Sequence, residues 1–129
     1  METQGEVLIA DGDAAIRYLL TSIVRRLPRQ AVAADDGPSA LALLRSHTFD
    51  AVILDLILPE LDGTDVLAFL ERERPDMLPH VIVITTMPEK RWAGHAAMGA
   101  VGAVLSKPFA LDELQNALRR CCNGAARVY

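Results

Sequence analysis

The sequence is poor in cysteine, in long apolar runs and in basic charge. Its two cysteines, Cys121 and Cys122, are adjacent. Neighbouring residues of a helix point in different directions, so we expect neither a disulfide between them nor a metal site built on them. No apolar run approaches membrane-spanning length, and residues 1–6 are polar and acidic, unlike a secretory signal. We therefore expect a cytoplasmic protein with no membrane partner.

The balance of charge also excludes a class of partner. The formal net charge is -4, from 13 basic and 17 acidic residues, which gives no electrostatic basis for direct binding of nucleic acid. The one basic cluster, Arg25, Arg26 and Arg29, is interpreted as a solvated helix end that complements the helix dipole. We find no repeat, linker or low-complexity tract. The 129 residues are thus predicted to form a single domain, 1–129, with no output domain.

Five apolar runs of strand length alternate with stretches of helical spacing. The predicted strands are 7–10, 30–34, 51–55, 81–84 and 103–105, and the predicted helices are 14–27, 38–47, 64–74, 88–98 and 111–122. Nearly continuous apolar strands indicate a sheet that is covered on both faces. Right-handed crossovers then predict an α/β fold with a doubly wound, five-stranded parallel sheet of flavodoxin-like order 2-1-3-4-5.

Polar residues follow four of these strands, at the edge where ligands bind in such sheets. They are Asp11-Gly12-Asp13, Asp55, Thr85-Thr86 and Lys107. A carboxylate in an apolar run is costly to bury without a partner, so Asp55 suggests chemistry. The alternatives stay open at this point, because Asp55 could be a solvated strand end or a turn cap. Lys107 could likewise be an exposed loop lysine, and Thr85 a strand residue of good β-propensity.

Together these groups suit phosphoryl transfer. A carboxylate can attack a phosphoryl group, and carboxylates that share a pocket favour a divalent cation. Mg²⁺ is usually held by one or two carboxylates together with phosphate oxygens and waters. A hydroxyl and a lysine across the pocket from the carboxylates could contact the phosphoryl oxygens and neutralise their charge. Phosphoryl transfer requires little of a protein beyond such positioning and charge neutralisation.

The sequence resembles the receiver domain of two-component response regulators over essentially its whole length. The resemblance lies in the motifs Val7-Leu8-Ile9-Ala10-Asp11, Ile53-Leu54-Asp55-Leu56 with Pro59 and Asp62-Gly63, Val83-Ile84-Thr85, and Ser106-Lys107-Pro108-Phe109. It implies a signalling phosphoacceptor rather than an enzyme. Asp55 would take a phosphoryl group from a histidine kinase or a histidine phosphotransfer protein, and Thr85 and Lys107 would sense it. Asp11, Asp55 and the backbone carbonyl of Ile57 would bind Mg²⁺, and a downstream protein would read the result.

The sequence departs from the family pattern at three positions. Gly12 replaces the second of two adjacent acids, and we expect weaker Mg²⁺ binding in consequence. Asp13 is a candidate for the missing ligand or, alternatively, the cap of the first helix. Thr86 replaces a smaller residue and could crowd access to Asp55. Val104 replaces an aromatic residue of the fifth strand whose movement accompanies that of the threonine.

Three further expectations concern turnover and alternatives. The residues two beyond Asp55 and Thr85 are Ile57 and Met87; apolar side chains cannot orient water, so we predict slow self-dephosphorylation. One alternative function is a binding module that ignores phosphate. The other is a haloacid-dehalogenase-type phosphatase with Asp11 as nucleophile, because Asp11-Gly12-Asp13 resembles the opening motif of that family.

The three histidines are interpreted as surface or packing residues without partners: His47, His80 and His95.

Overall fold

The computed structural model describes residues 5–122 and places a five-stranded parallel sheet between two layers of helices. The strands are β1 Glu6–Ala10, β2 Gln30–Ala34, β3 Ala51–Asp55, β4 Val81–Thr85 and β5 Ala103–Ser106. The helices are α1 Ala14–Arg25, α2 Gly37–Ser46, α3 Gly63–Glu73, α4 Glu89–Trp92 and α5 Leu111–Cys121. The order β2-β1-β3-β4-β5 confirms the predicted doubly wound sheet.

Each face of the sheet has its own hydrophobic core. Val52 and Leu54 of β3 face one core, which α2 and α3 cover, whereas Ile53 faces the other, which α1 and α5 cover. All three side chains are fully buried. Alternate residues of a strand point to opposite faces of the sheet. When helices cover both faces, every residue of the strand must therefore be apolar, and apolar and polar residues do not alternate. This explains the continuous apolar runs in the sequence.

The predicted fourth helix, 88–98, is wrong as a single element. Only Glu89–Trp92 forms an α-helix, and a separate 3₁₀ turn follows at Ala96–Gly99. Gly94 lies between the two. Glycine weakens a helix by roughly 1 kcal/mol relative to alanine. A Cβ atom at Gly94 would meet nothing within 4 Å, so no close approach of another segment requires glycine there.

The connection from β3 to α3 brings the helix start against the strand that carries Asp55. The Gly63 amide donates a hydrogen bond of 2.9 Å to the carbonyl of Leu56. A Cβ atom at Gly63 would lie 2.3 Å from the carbonyl oxygen of Asp55, so only glycine permits this approach. Glu60, in the same loop, adopts a left-handed backbone conformation with φ of 70°. The loop thereby fixes the position of the strand end.

The structure tests two further expectations, one for the adjacent cysteines and one for the basic cluster at the end of α1. Cys121 and Cys122 are free and buried, which confirms that they form no disulfide; burial raises the pKa of both thiols. Arg25 is exposed, as expected for a solvated helix end. The interpretation is wrong for Arg29, which is partly buried in an ion pair with Asp50. None of the helices within residues 5–122 combines the length and apolarity needed to cross a bilayer.

Candidate functional site

The buried polar side chains of the described chain lie together at one edge of the sheet. Within residues 5–122, Asp11, Asp55 and Thr85 are the only polar or charged residues that are buried, with exposed fractions of 1%, 6% and 2%. Asp11 follows β1, Asp55 ends β3 and Thr85 ends β4. Lys107 follows β5 at the same edge. The topology therefore brings together the residues that the sequence analysis selected.

Lys107 joins the two carboxylates. Its Nζ donates hydrogen bonds of 2.8 Å to Oδ2 of Asp11 and 2.8 Å to Oδ2 of Asp55. The amide of Lys107 donates a further 2.9 Å bond to the carbonyl of Thr85, which aligns the lysine with the end of β4. The alternative that Lys107 is merely an exposed loop lysine is therefore wrong. It is a structural cation of the site.

Backbone amides hold the other carboxylate oxygens. Oδ1 of Asp55 accepts a 3.0 Å hydrogen bond from the amide of Ile57, and Oδ1 of Asp11 accepts one of 2.8 Å from the amide of Asp13. Arg17 of α1 donates a 2.8 Å bond to the Asp11 carbonyl. The sequence analysis missed Arg17. A basic residue in the first turns of a helix opposes the helix dipole, and that is the signal that could have revealed it.

Burial affects the ionisation of both partners. It raises the pKa of the Asp55 carboxyl, and hydrogen bonds from Lys107 and the Ile57 amide offset this only in part. Burial also acts to lower the pKa of Lys107, but the hydrogen bonds and charges of Asp11 and Asp55 together outweigh it and raise that pKa. The ammonium therefore stays charged at neutral pH. The Asp55 carboxylate is less hydrated and more basic than an exposed aspartate, which favours attack on an electrophile.

The two threonines at the end of β4 have different environments. Thr85 is buried, and its Oγ1 accepts a 2.9 Å hydrogen bond from the amide of Met87. Thr86 is exposed and lines the cleft above Asp55. Of these two residues, Thr86 lines the cleft and Thr85 does not. That Thr86 crowds access to Asp55 stays a prediction.

A cleft of about 620 Å³ opens above Asp55. Its lining consists of Asp11, Gly12, Asp13, Asp55, Ile57, Leu58, Pro59, Thr86 and Lys107. Gly12 contributes no side chain, and a Cβ atom there would lie 3.1 Å from Cδ of Pro59. Asp13 lines the cleft, but its Oδ1 caps α1 by accepting hydrogen bonds from the amides of Ala15 and Ile16, at 2.8 and 3.2 Å. Of the two interpretations of Asp13, the structure bears out the helix cap.

A protein-family model matches most of the sequence. Residues 7–119 match the model described as "Response regulator receiver domain". The chain belongs to the response regulator receiver family. Receiver domains are components of two-component systems and interact with histidine kinases. The family match overturns the alternative of a haloacid-dehalogenase-type phosphatase.

Curated relatives are regulatory proteins about twice as long. The chain is 32% identical over 113 residues to the "Probable transcriptional regulatory protein TcrX" of Mycobacterium tuberculosis, covering 88% of this chain and 47% of that protein. It is 35% identical over 121 residues to the "Probable transcriptional regulator ycf27" of Guillardia theta, covering 92% and 46%. The chain thus spans about half the length of these relatives.

Solved receiver structures have the same fold. The signal receiver domain of an HD domain-containing protein from Pseudomonas fluorescens Pf-5 is 32% identical, with a TM-score of 0.81 and coverage of 92% of this chain and 94% of that one. The response regulator TrrA of Thermotoga maritima, in complex with Mg²⁺ and BeF, is 25% identical, with a TM-score of 0.78 and coverage of 91% and 98%.

The donor set of the receiver cleft fits a magnesium ion with few protein ligands. Within residues 5–122, no group of three or more His, Cys, Asp or Glu is placed to hold a metal. Mg²⁺ nevertheless requires only one or two carboxylates when waters complete its octahedron. Asp11 and Asp55 supply two carboxylates on either side of Lys107. With glycine at position 12, the site has one anionic side chain fewer than the family pattern provides.

None of the three histidines lies in the cleft, but two have partners. His47 stacks on Phe49, with ring centroids 5.5 Å apart, and its Nδ1 lies 3.3 Å from a carboxylate oxygen of Glu6. Nδ1 of His80 lies 2.6 Å from the Cys121 carbonyl oxygen. His95 is exposed. Surface and packing roles are confirmed; the expectation that these histidines lack partners is wrong for His47 and His80.

Proposed function

We propose that this chain is the phosphoacceptor receiver of a two-component phosphorelay and that Asp55 is the phosphorylated residue. The observation that carries the proposal is the position of Lys107 between the carboxylates of Asp11 and Asp55, at 2.8 Å from each. This arrangement supplies a buried nucleophile and a fixed cation at the mouth of an open cleft. Such a site needs little further chemistry for phosphoryl transfer.

The reaction would proceed by attack of an Asp55 carboxylate oxygen on the phosphorus of a phosphohistidine in a kinase or phosphotransfer protein. The new O–P bond forms as the N–P bond breaks, and the imidazole nitrogen leaves with the bonding pair and later takes up a proton. As the Asp55 carboxylate becomes an acyl phosphate, Lys107 loses that carboxylate as an ion-pair partner. The Lys107 ammonium then pairs with the phosphoryl oxygens. The Ile57 amide orients Oδ1 of Asp55 throughout.

The remaining site residues have supporting roles in this proposal. Asp11, Asp55 and the backbone carbonyl of Ile57 would hold Mg²⁺, which supplies charge neutralisation for the transferring group. The Thr85 hydroxyl would contact the phosphoryl group after transfer. A downstream protein would then distinguish the phosphorylated from the unphosphorylated receiver, because phosphorylation shifts the population of two conformations.

The chain itself would act as one receiver unit and as a signalling phosphoacceptor rather than a turnover enzyme. Its relatives include transcriptional regulators. We propose no direct contact of these 129 residues with nucleic acid, because the formal net charge is -4. Recognition of any DNA would instead fall to another domain or another protein.

The second candidate is a binding module whose partner ignores phosphate. Gly12 favours it, since the cleft has only two carboxylates for Mg²⁺, and Lys107 already satisfies one oxygen of each. The partner would then recognise the resting surface. The buried position of Asp55 supports the phosphoacceptor instead, because burying a carboxylate costs free energy that a module indifferent to phosphate has no need to spend.

Intact mass spectrometry separates the two candidates. The full chain is incubated with acetyl phosphate with and without Mg²⁺, next to Asp55→Asn. A phosphoryl adduct that requires Mg²⁺ and is lost in Asp55→Asn supports the phosphoacceptor. A folded protein that forms no adduct at any Mg²⁺ concentration contradicts it and favours the binding module. Asp65→Asn in the first turn of α3 is the matched control, and it should form the adduct normally.

A further inference from the structure

A groove of about 370 Å³ lies beside the acceptor cleft, between β5 and the segment that follows β4. Thr85, Met87, Trp92 and Val104 are among its lining residues. Trp92 is the single tryptophan of the chain. It is half-buried and packs against the same hydrophobic core as Met87 and Val104. Trp92 and Val104 thus line the same groove and pack against the same core.

Two hydrogen bonds connect Thr85 to Trp92 through one residue. The amide of Met87 donates to Oγ1 of Thr85 at 2.9 Å. The carbonyl of Met87 accepts from Nε1 of Trp92 at 3.2 Å. Because both groups belong to the backbone of Met87, a displacement of that residue changes both bonds together. The hydroxyl at the end of β4 and the indole of α4 are therefore mechanically coupled.

Helix α4 is a single short turn that is mostly exposed. It is four residues long, its start has no side-chain cap, and none of its residues is buried. A single helical turn is not stable in isolation. The contacts of Trp92 with the Met87 carbonyl and with the core attach this turn to the sheet. Loss of the indole hydrogen bond would weaken that attachment.

We propose that Trp92 is the conformational switch of this receiver, coupled to the acceptor site through Met87. The inference rests on the proposed function, since it assigns the regulation of the same site. When Thr85 turns its hydroxyl toward a phosphoryl group on Asp55, the Met87 amide loses its acceptor. The Met87 backbone then shifts, its carbonyl releases the indole, and α4 moves away from β5. The hydrogen bonds of the resting state oppose this change, so phosphorylation shifts a population between two states.

The first test uses unmodified protein and the fluorescence of Trp92. Thr85→Val removes the acceptor of the Met87 amide but keeps the shape of the side chain. We expect a red shift of the emission maximum and a higher acrylamide quenching constant than in the wild type. Thr85→Ser keeps the hydroxyl and should give wild-type values. Thr86→Val is the matched control, because no hydrogen bond joins the Thr86 hydroxyl to Met87, and it should also give wild-type values.

The second test follows the same fluorescence during phosphorylation with acetyl phosphate and Mg²⁺, with the adduct measured by intact mass on the same samples. The red shift should grow in proportion to the phosphorylated fraction in the wild type. It should be absent in Asp55→Asn. Thr85→Val, which begins in the released state, should show no further shift when it is phosphorylated.

The outcomes distinguish the switch from the proposed function. Phosphorylated wild type with unchanged Trp92 emission overturns the switch and leaves the phosphoacceptor intact. If no adduct forms, the phosphoacceptor fails, and the comparison of Thr85→Val with Thr85→Ser alone decides whether the coupling exists. Identical emission in wild type and Thr85→Val overturns it. Circular dichroism verifies the fold of each variant, and Thr85→Ala replaces Thr85→Val if the latter is unfolded.

Discussion

Lys107 and Asp55 form an ion pair of 2.8 Å, and the same ammonium lies 2.8 Å from Asp11. Both carboxylates are nearly inaccessible to solvent, with side-chain exposures of 9% and 1%. Two ionised carboxylates in one site repel each other unless a cation lies between them. Lys107 is therefore both a structural element of the resting receiver and the cation available to an incoming phosphoryl group.

Lys107→Met should destabilise the resting protein. Removing one member of a buried ion pair leaves the other uncompensated, and for this partly open site we expect a loss of about 1–3 kcal/mol in the free energy of unfolding. Mg²⁺ should restore part of the loss because it replaces the missing cation. Urea denaturation in EDTA and in Mg²⁺ measures both effects. Lys90→Met, on the exposed α4, is the matched control and should change little. Equal stability of the two variants in EDTA would refute the structural role.

Asp55→Asn should change the pH dependence of stability in a defined direction. The folded-state pKa of Asp55 is raised by burial, so the folded protein binds a proton more tightly than the unfolded chain does. The wild type therefore loses stability as pH rises from below the ordinary aspartate pKa through the raised folded value. The neutral asparagine has no such loss. Relative to the wild type, Asp55→Asn should gain stability as pH rises from below the ordinary aspartate pKa through the raised folded-state pKa of Asp55.

Thermal unfolding of both proteins over this pH range, in EDTA, provides the measurement. The melting temperature of Asp55→Asn minus that of the wild type should increase steadily as pH increases. A difference that is constant with pH, or one that moves in favour of the wild type, would show that burial does not control the ionisation of Asp55.

Gly12→Asp should strengthen Mg²⁺ binding. The new carboxylate adds a negative charge at the cleft, and we expect an affinity gain of roughly tenfold, or about 1.4 kcal/mol. The gain is limited because the new Cβ lies only 3.1 Å from Cδ of Pro59, which must shift. Isothermal titration calorimetry with Mg²⁺ measures the effect.

Two variants serve as controls for the magnesium titration. Gly12→Asn has the same steric demand without the charge and should not reproduce the gain. Asp13→Ala should cost about 1 kcal/mol of stability through loss of the α1 cap, with Mg²⁺ affinity unchanged. A large fall in affinity in Asp13→Ala would instead make Asp13 a metal ligand.

Ile57→Asn should shorten the lifetime of the phosphorylated state. Ile57 lines the cleft and is 49% exposed, so a polar side chain there can reach a water near the phosphoryl group. A positioned general base typically contributes about 10²–10⁴-fold; asparagine can orient the water but cannot take its proton, so we expect a smaller acceleration of roughly tenfold. The decay of the intact-mass adduct after removal of acetyl phosphate gives the rate. A wild-type half-life of seconds would contradict the view that its apolar residues leave the water unoriented.

Much of the site could be predicted because it depends on topology. Asp11, Asp55, Thr85 and Lys107 each follow an apolar run, and a parallel sheet brings such positions to one edge. The continuous strands, with Val52 and Ile53 facing opposite cores, specified the two helical layers for the same reason. Local residue order was sufficient in these cases.

The features that sequence did not reveal depend on contacts between separate segments. The role of Asp13 as the cap of α1 is seen in the hydrogen bonds that it accepts from the amides of Ala15 and Ile16. The hydrogen bond of Trp92 to Met87 carries no pattern in the sequence, and that of Arg17 to the Asp11 carbonyl leaves only the unfavourable position of a basic residue near a helix start. The sequence predicts a helix over 88–98 that Gly94 weakens, but it does not show that the α-helix ends at Trp92.

The central claim, that Asp55 receives the phosphoryl group, is tested most directly by chemical mapping. An aspartyl phosphate is reduced by borohydride to homoserine, so peptide mass spectrometry after reaction with acetyl phosphate and Mg²⁺ identifies the modified residue. Homoserine at position 55, and aspartate unchanged at position 11, is the predicted result. Homoserine at position 11, or at neither position in a protein that carries the adduct, would contradict the assignment of Asp55 as the phosphoacceptor.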